Sequence, residues 1–246
     1  MGNVGRRVAR NARALGMEVL LNDPPRARAE GSAGFVSLQE IATRADIIAF
    51  HVPLIKEGED RTVHLLDDRL VDLLQRKPII MNACRGAVTD TSALLRGLRE
   101  GKITDLVMDC WEGEPNISQE LLKQTWLGTP HIAGFSAQGK ANGARTCIEH
   151  GLEHFGLKLS SSEPLYPTPL SAPLLHLSSD QPLWEALLQT FGIRGVDRTL
   201  RERSQEFETL RREYHYPYEP SEYQLRRCEM GEWAEAAQGI GFQIIE

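Results

Sequence analysis

The sequence predicts an α/β protein: a doubly wound, mostly parallel sheet followed by a smaller α+β unit. Three features point to this. Short apolar runs of the kind that form strands buried on both faces recur from residue 17 to residue 108. Amphipathic helical patterns separate them, and such alternation builds a parallel sheet. From Asp46 onward each run ends in a short polar motif. In open α/β sheets, ligands bind beyond the carboxyl ends of the strands.

Taken in order, residues 2–5 read Gly-Asn-Val-Gly, and Val4, Val8, Ala12 and Leu15 recur at helical spacing up to Gly16. Met17–Leu21 reads as a strand closed by Asn22-Asp23-Pro24-Pro25, and residues 26–36 as a polar loop. Ser37-Leu38-Gln39-Glu40 is a capping-box start, with Ile41 and Ala45 on one helix face. Asp46–Phe50 is the next strand and delivers His51-Val52-Pro53-Leu54. A helix around Leu66–Leu74 precedes the strand Pro78–Met81, which delivers Asn82-Ala83-Cys84-Arg85-Gly86. Thr89–Glu100 is a helix stopped by Gly101. Ile103–Met108 is a strand delivering Asp109-Cys110-Trp111-Glu112-Gly113-Glu114-Pro115. A short helix near Ser118–Gln124 leads to Thr129-Pro130-His131-Ile132-Ala133-Gly134, and Ala137–Leu157 is a longer helix.

This places a first domain at residues 1–158. The serines and prolines of residues 159–173 read as a linker, and residues 174–246 as a second domain. That domain carries helices at Pro182–Phe191, from an Asp197 cap through Leu200, Phe207, Leu210 and Tyr214, and at Glu229–Gln238. Phe242–Ile245 and Tyr223–Leu225 are candidate partner strands. A unit this small gains from self-association, which buries apolar surface it cannot cover alone.

The net charge of −6 leaves no basic footprint for nucleic acid, and the apolar runs are too short to span a bilayer. The N-terminus has no signal-peptide pattern, so cytoplasm is the expected compartment. Cys84, Cys110, Cys147 and Cys228 have no paired spacing. That argues against a disulfide framework and against a zinc site, and no metal is expected.

Gly2 and Gly5 open a helix, and Asp23 follows 18 residues after Gly5. This matches the later part of the dinucleotide fingerprint G-x-G-x-x-G. Free N–H groups near Asn3 and Val4 suit a pyrophosphate. Asp23 suits the ribose hydroxyls and repels a 2′-phosphate, favouring NAD over NADP, while Arg26 and Arg28 nearby pull the other way. Taking a hydride from a 2-hydroxy acid needs a base, a cation for the carboxylate and a hydride acceptor. His131 titrates near neutrality and suits the first task. Arg85 offers a planar fork for the second. Glu114 would orient the imidazole and stabilise its charged form, and Asp109 is placed for the nicotinamide carboxamide. Alone, each has a plainer reading: a surface ion pair, a core histidine, a turn acid before proline. Four strand-end motifs in this order favour function.

Asn82–Gly86, Asp109–Pro115 and Thr129–Gly134 resemble the signatures of the D-2-hydroxyacid dehydrogenase family, and the likeness covers residues 2–157. The resemblance implies a Rossmann-type NAD-binding domain with Arg85, Glu114 and His131 as the catalytic set and His131 as proton donor. It implies NAD contacts from Gly2, Asn3, Val4, Gly5, Asp23, Val52, Asp109 and Gly134, with His51, Pro53 and Cys84 at the same strand ends. Arg85 and Phe135 would face substrate. Phe135 stands where similar enzymes often carry Tyr, and Val52 where Thr is usual. The Ala83–Val88 and Trp111–Pro115 runs favour a branch that takes a small phosphorylated 2-hydroxy acid and homodimerises through an extra C-terminal unit. The alternatives are a phosphoglycerate or glyoxylate/hydroxypyruvate type of dehydrogenase, or a non-catalytic NAD-sensing corepressor-like protein. The family's N-terminal substrate domain, first strand and first glycine have no counterpart in residues 1–246, so these residues alone are expected to bind NAD weakly and turn over slowly.

Overall fold

The computed structural model describes residues 2–157, 172–177, 181 and 183–246. Among these, the chain divides into two units: Met1–Ala133 with Ile193–Tyr214, and Gly134–Gly192 with His215–Glu246.

The first unit opens with helices α1 (Asn3–Ala14), α2 (Pro24–Glu30) and α3 (Leu38–Arg44). Strand β1 (Ile47–Phe50) follows, then α4 (Asp68–Leu73), β2 (Ile79–Asn82), α5 (Thr91–Arg99), β3 (Asp105–Met108), α6 (Gln119–Gln124) and β4 (Leu127–Gly128). The four strands form one parallel sheet in the order β1-β2-β3-β4. Helix starts follow from capping side chains: Ser37, Asp67, Asp90 and Ser118 each accept an N–H from the first turn of α3, α4, α5 and α6. Register then decides where the site lies. Phe50 pairs with Asn82, Asn82 with Met108, and Met108 with Gly128. The strand ends are level, so the polar motifs after them begin side by side.

The core joins Ile48, Phe50, Ile80, Leu106 and Met108 of the sheet to Leu66, Val71, Leu94 and Leu121, all buried. Burying each such side chain contributes about 1.5–3 kcal/mol.

Several expectations need correction. Met17–Leu21 runs without a strand partner among the described residues; β1 pairs only with β2, and a ladder needs a neighbour at hydrogen-bonding distance. Residues 26–36 are not all loop. Asp23 accepts the Arg26 N–H at 3.3 Å and Pro24 pre-sets the first helical φ, so α2 forms there. In α1 the buried face is Gly5 and Ala9, while Val4 and Val8 are exposed.

The largest correction concerns the second half. Helix α7 (Ala137–Phe155) belongs with the second unit. Conversely α9 (Ile193–Glu202) and α10 (Phe207–Arg212) belong with the first, where Leu200 and Phe207 enter the core. Asp197 is not a cap but lies inside α9. Its Oδ1 accepts the Gly128 N–H at 2.7 Å, and it pairs with Arg201, which donates to the carbonyls of Leu122 and Thr125. These bonds tie α9 to the end of β4 and explain the division.

The second unit also holds α8 (Leu183–Thr190), β5 (Gln224–Arg226), α11 (Ala234–Ile240) and β6 (Gln243–Ile245). The two strands pair as expected, in parallel. The expected helix at Glu229–Gln238 is split, with 3-10 turns at Arg227–Glu229 and Gly231–Trp233 before α11. Leu183, Ala186, Leu225, Ala237 and Phe242 are buried here. Most of the expected linker, residues 159–171, lies outside the described residues, as does Pro182.

Candidate active site

Arg85, Glu114 and His131 lie on the loops that follow β2, β3 and β4, and Glu114 and His131 are in contact. The loop after β3 is seated by two close approaches. A Cβ on Gly86 would lie 2.0 Å from the Trp111 carbonyl oxygen, and one on Gly128 would lie 2.9 Å from the Trp111 ring, so neither position admits a side chain without a shift. Trp111 is buried, and its indole N–H donates to the Thr129 carbonyl at 2.9 Å. The loop turns back at Gly113, whose φ of +80° suits glycine. Glu114 then folds inward: its Oε1 accepts the Trp111 N–H and its Oε2 lies 2.7 Å from His131 Nδ1.

His131 itself has a φ of +55°, a strained conformation for a residue with a Cβ. Asp109 holds it there. The Asp109 carbonyl accepts the His131 N–H, while its buried carboxylate accepts Thr129 Oγ1, Ile132 N and Ala133 N. Asp109 is thus the staple of the Thr129–Ala133 turn.

Arg85 is exposed. Its Nη1 donates to the Cys84 carbonyl at 2.6 Å, and it forms no ion pair among the described residues. Its fork can receive a carboxylate in bidentate fashion. The Cys110 thiol feels the negative charges of Asp109 and Glu114 and, more weakly, the positive charge of Arg85. Burial, above all, pushes this thiol well up, and the two carboxylates add to the effect.

The cofactor candidates sit as follows. The N-terminus of α1, at Gly2, Asn3, Val4 and Gly5, has no side-chain cap and no acid in its first turn, so its free N–H groups fit an anion. Asp23 follows the extended Met17–Leu21 run and caps α2. His51, just after β1, is half-buried; burial pushes its imidazole down, and its Nε2 has no hydrogen-bond partner among the described residues. The Val52 amide points at the Cys84 sulfur, so the β1 and β2 motifs touch, and Pro53 continues the same loop. An uncapped helix start and an orphaned buried imidazole nitrogen are both features that a bound dinucleotide would satisfy. Gly134 and Phe135 belong to the second unit, where Phe135 packs edge-on against Tyr216 and lies under Lys140 Nζ at 3.7 Å.

Three residues escaped the sequence reading. His64 Nε2 lies 2.6 Å from Glu112 Oε1, and its Nδ1 lies 3.3 Å from Asp90 Oδ2. Burial pushes Glu112 up, but bonds from His64 and Thr91 outweigh it and hold the carboxyl below its usual range. Tyr214 is pushed up to about 12, first by burial and then by Asp109. Cys110 lies beside the His131–Glu114 pair despite the unpromising cysteine spacing. Each is assembled over long sequence separations and leaves no local motif.

A parallel sheet with polar motifs at level strand ends, and a helix start with free N–H groups, is the arrangement in which open α/β sheets take a dinucleotide. The chain belongs to the D-isomer-specific 2-hydroxyacid dehydrogenases: residues 1–133 match that family's NAD-binding domain. It is 46% identical to erythronate-4-phosphate dehydrogenase of Porphyromonas gingivalis over 89% of this chain and 60% of that protein. It is 42% identical to the enzyme of that name from Escherichia coli, over 87% of this chain and 58% of that one. The chain therefore spans about three-fifths of the curated relatives it matches. A glyoxylate reductase from Paecilomyes thermophila superposes with a TM-score of 0.53 at 26% identity, covering 69% of this chain and 50% of that one. A D-lactate dehydrogenase from Sporolactobacillus gives 0.53 at 26%, covering 68% and 54%.

Proposed function

We propose that this chain carries the cofactor-binding and proton-transfer part of an enzyme that oxidises 4-phospho-D-erythronate to 3-hydroxy-2-oxo-4-phosphooxybutanoate with NAD. The reaction would serve pyridoxine and pyridoxal phosphate synthesis in the cytoplasm. The observation that carries the reading is the 2.7 Å contact between His131 Nδ1 and Glu114 Oε2, with Arg85 on the adjoining β2 loop and free of ion pairs among the described residues. The names of the most similar relatives point to the substrate.

NAD held by these residues would supply the hydride acceptor. His131 takes the proton from the substrate hydroxyl through its outward nitrogen, while Glu114 fixes the ring and balances the charge it gains. Arg85 grips the carboxylate next to the reacting carbon. Asp109 holds the turn and contacts the carboxamide. The α1 start carries the pyrophosphate and Asp23 the ribose, with His51, Val52, Pro53 and Cys84 completing the cofactor wall. The second unit supplies a homodimer contact.

The test is a panel of hydroxy acids, including 4-phospho-D-erythronate, D-3-phosphoglycerate and glyoxylate with NADH, offered to the full-length gene product. Selective oxidation of the first is expected. His131→Asn should lower kcat by about 10³-fold or more while NAD binding stays intact. Equal rates for the variant would refute the assignment, and NAD binding without turnover on any substrate would favour a sensor.

A further inference from the structure

We infer that Cys110, Glu114 and His131 form a three-ligand site for a thiophilic divalent cation such as Zn²⁺, open at its fourth position. Ligand atoms of the three residues lie within 4.8 Å of one another. Thiolate, imidazole and carboxylate are the donors zinc prefers, and three protein ligands with one free position is the arrangement of reactive rather than structural zinc.

The geometry needs only small adjustments. Zinc bonds of about 2.0–2.3 Å set tetrahedral ligands about 3.4–3.8 Å apart. The His131–Glu114 contact, now 2.7 Å, must open by somewhat under about 1 Å, and the sulfur must close on the others by about 1 Å at most. Side-chain rotation covers such distances. Cys110 is 1% exposed and forms the floor, while His131 and Glu114 are each about one-fifth exposed and form the entrance.

The surrounding charge favours a cation. Glu114 carries one negative charge, and the Asp109 carboxylate lies 3.8 Å from the Cys110 sulfur. Asp109 accepts from Thr129 Oγ1, Ile132 N and Ala133 N as well as from the Cys110 thiol, and once that thiol proton leaves it contributes its field. Arg85 opposes with one positive charge. Binding forms S–Zn, N–Zn and O–Zn bonds, and the thiol proton leaves to solvent. No electron moves. The linear positions 110, 114 and 131 match no zinc motif, because the third ligand comes from a neighbouring strand end.

Occupancy would engage the His131–Glu114 pair and disable proton transfer, so Zn²⁺ would act as an inhibitor; that consequence rests on the proposed dehydrogenase function, whereas binding does not.

The experiment uses the chain with Cys147→Ser and Cys228→Ser, which removes the exposed thiols. Co²⁺ is titrated and followed by absorption, with Zn²⁺ as competitor. The expected result is a sulfur-to-cobalt charge-transfer band with tetrahedral visible bands at one equivalent, displaced by Zn²⁺. Cys110→Ser should abolish the charge-transfer band, and His131→Gln should weaken binding at least tenfold; circular dichroism checks folding, and Cys110→Ala serves if serine unfolds the chain. Lack of the band, or its persistence without Cys110, overturns the site. If the band forms but Zn²⁺ leaves turnover of the full-length product unchanged, the inhibition is wrong while the site stands.

Discussion

Replacing Asp109 with alanine should destabilise the first unit by about 2–4 kcal/mol. Asp109 is 5% exposed and its carboxylate accepts from Thr129 Oγ1 at 2.6 Å, Ile132 N at 2.7 Å and Ala133 N at 3.0 Å, with a weaker contact from the Cys110 thiol at 3.8 Å. Ile132 is 3% exposed, so its orphaned N–H finds no water and costs about 1–3 kcal/mol. Ala133 is exposed and its N–H regains water, for a loss of about 0.5–1 kcal/mol. The Thr129 hydroxyl adds about 1 kcal/mol. Relief of the buried charge offsets part of the total. The assay is urea unfolding followed by tryptophan emission and circular dichroism. With a slope of about 2 kcal/mol per molar urea, the midpoint should fall by about 1–2 M. Asp109→Asn keeps one acceptor for the Ile132 N–H and should lose about half as much. A midpoint within about 0.3 M of the parent for the alanine variant would refute the claim that this side chain holds the turn.

Three further outcomes follow from the same geometry. Asp23→Ser keeps an oxygen to cap α2 but removes the charge, so calorimetry should show NAD affinity falling roughly tenfold with helix content unchanged; equal affinity would remove Asp23 from the site. A thiol reagent should label exposed Cys147 and Cys228 rapidly and Cys84 slowly, leaving Cys110 until unfolding; prompt labelling of Cys110 would contradict its burial. Glu112 is held below its unfolded value, so its contribution is present above about pH 4.3 and is lost as pH falls through the lower folded value. Thermal melts from about pH 5 to pH 3 should therefore drop less steeply for Glu112→Gln than for the parent.

The sheet and the loops that bring Glu114 to His131 were legible because their signals are local. Ile47–Phe50, Ile79–Asn82 and Asp105–Met108 are apolar runs with polar ends, and parallel pairing in level register brings those ends together. Features set by distant partners were not legible. Met17–Leu21 has the composition of a strand, but composition cannot supply a ladder neighbour. Asp197 looks like a cap until Gly128 and Arg201, far apart in sequence, claim its oxygens. His64 and Glu112 are 48 residues apart, and nothing near either one announces the other. The helix over Pro24–Glu30 was readable in principle, since an Asp followed by two prolines is a start signal.

The sealed position of Trp111 has an optical consequence. With its ring buried and its N–H bonded to Thr129, this indole should emit to the blue of solvent-facing Trp126 and Trp184. Indole emission overlaps the absorption of reduced nicotinamide, and Trp111 is bonded to the turn that the proposed function sets against that ring. Quenching of its blue component would then report cofactor occupancy in the unlabelled protein, wavelength by wavelength, separately from the response of the surface indoles.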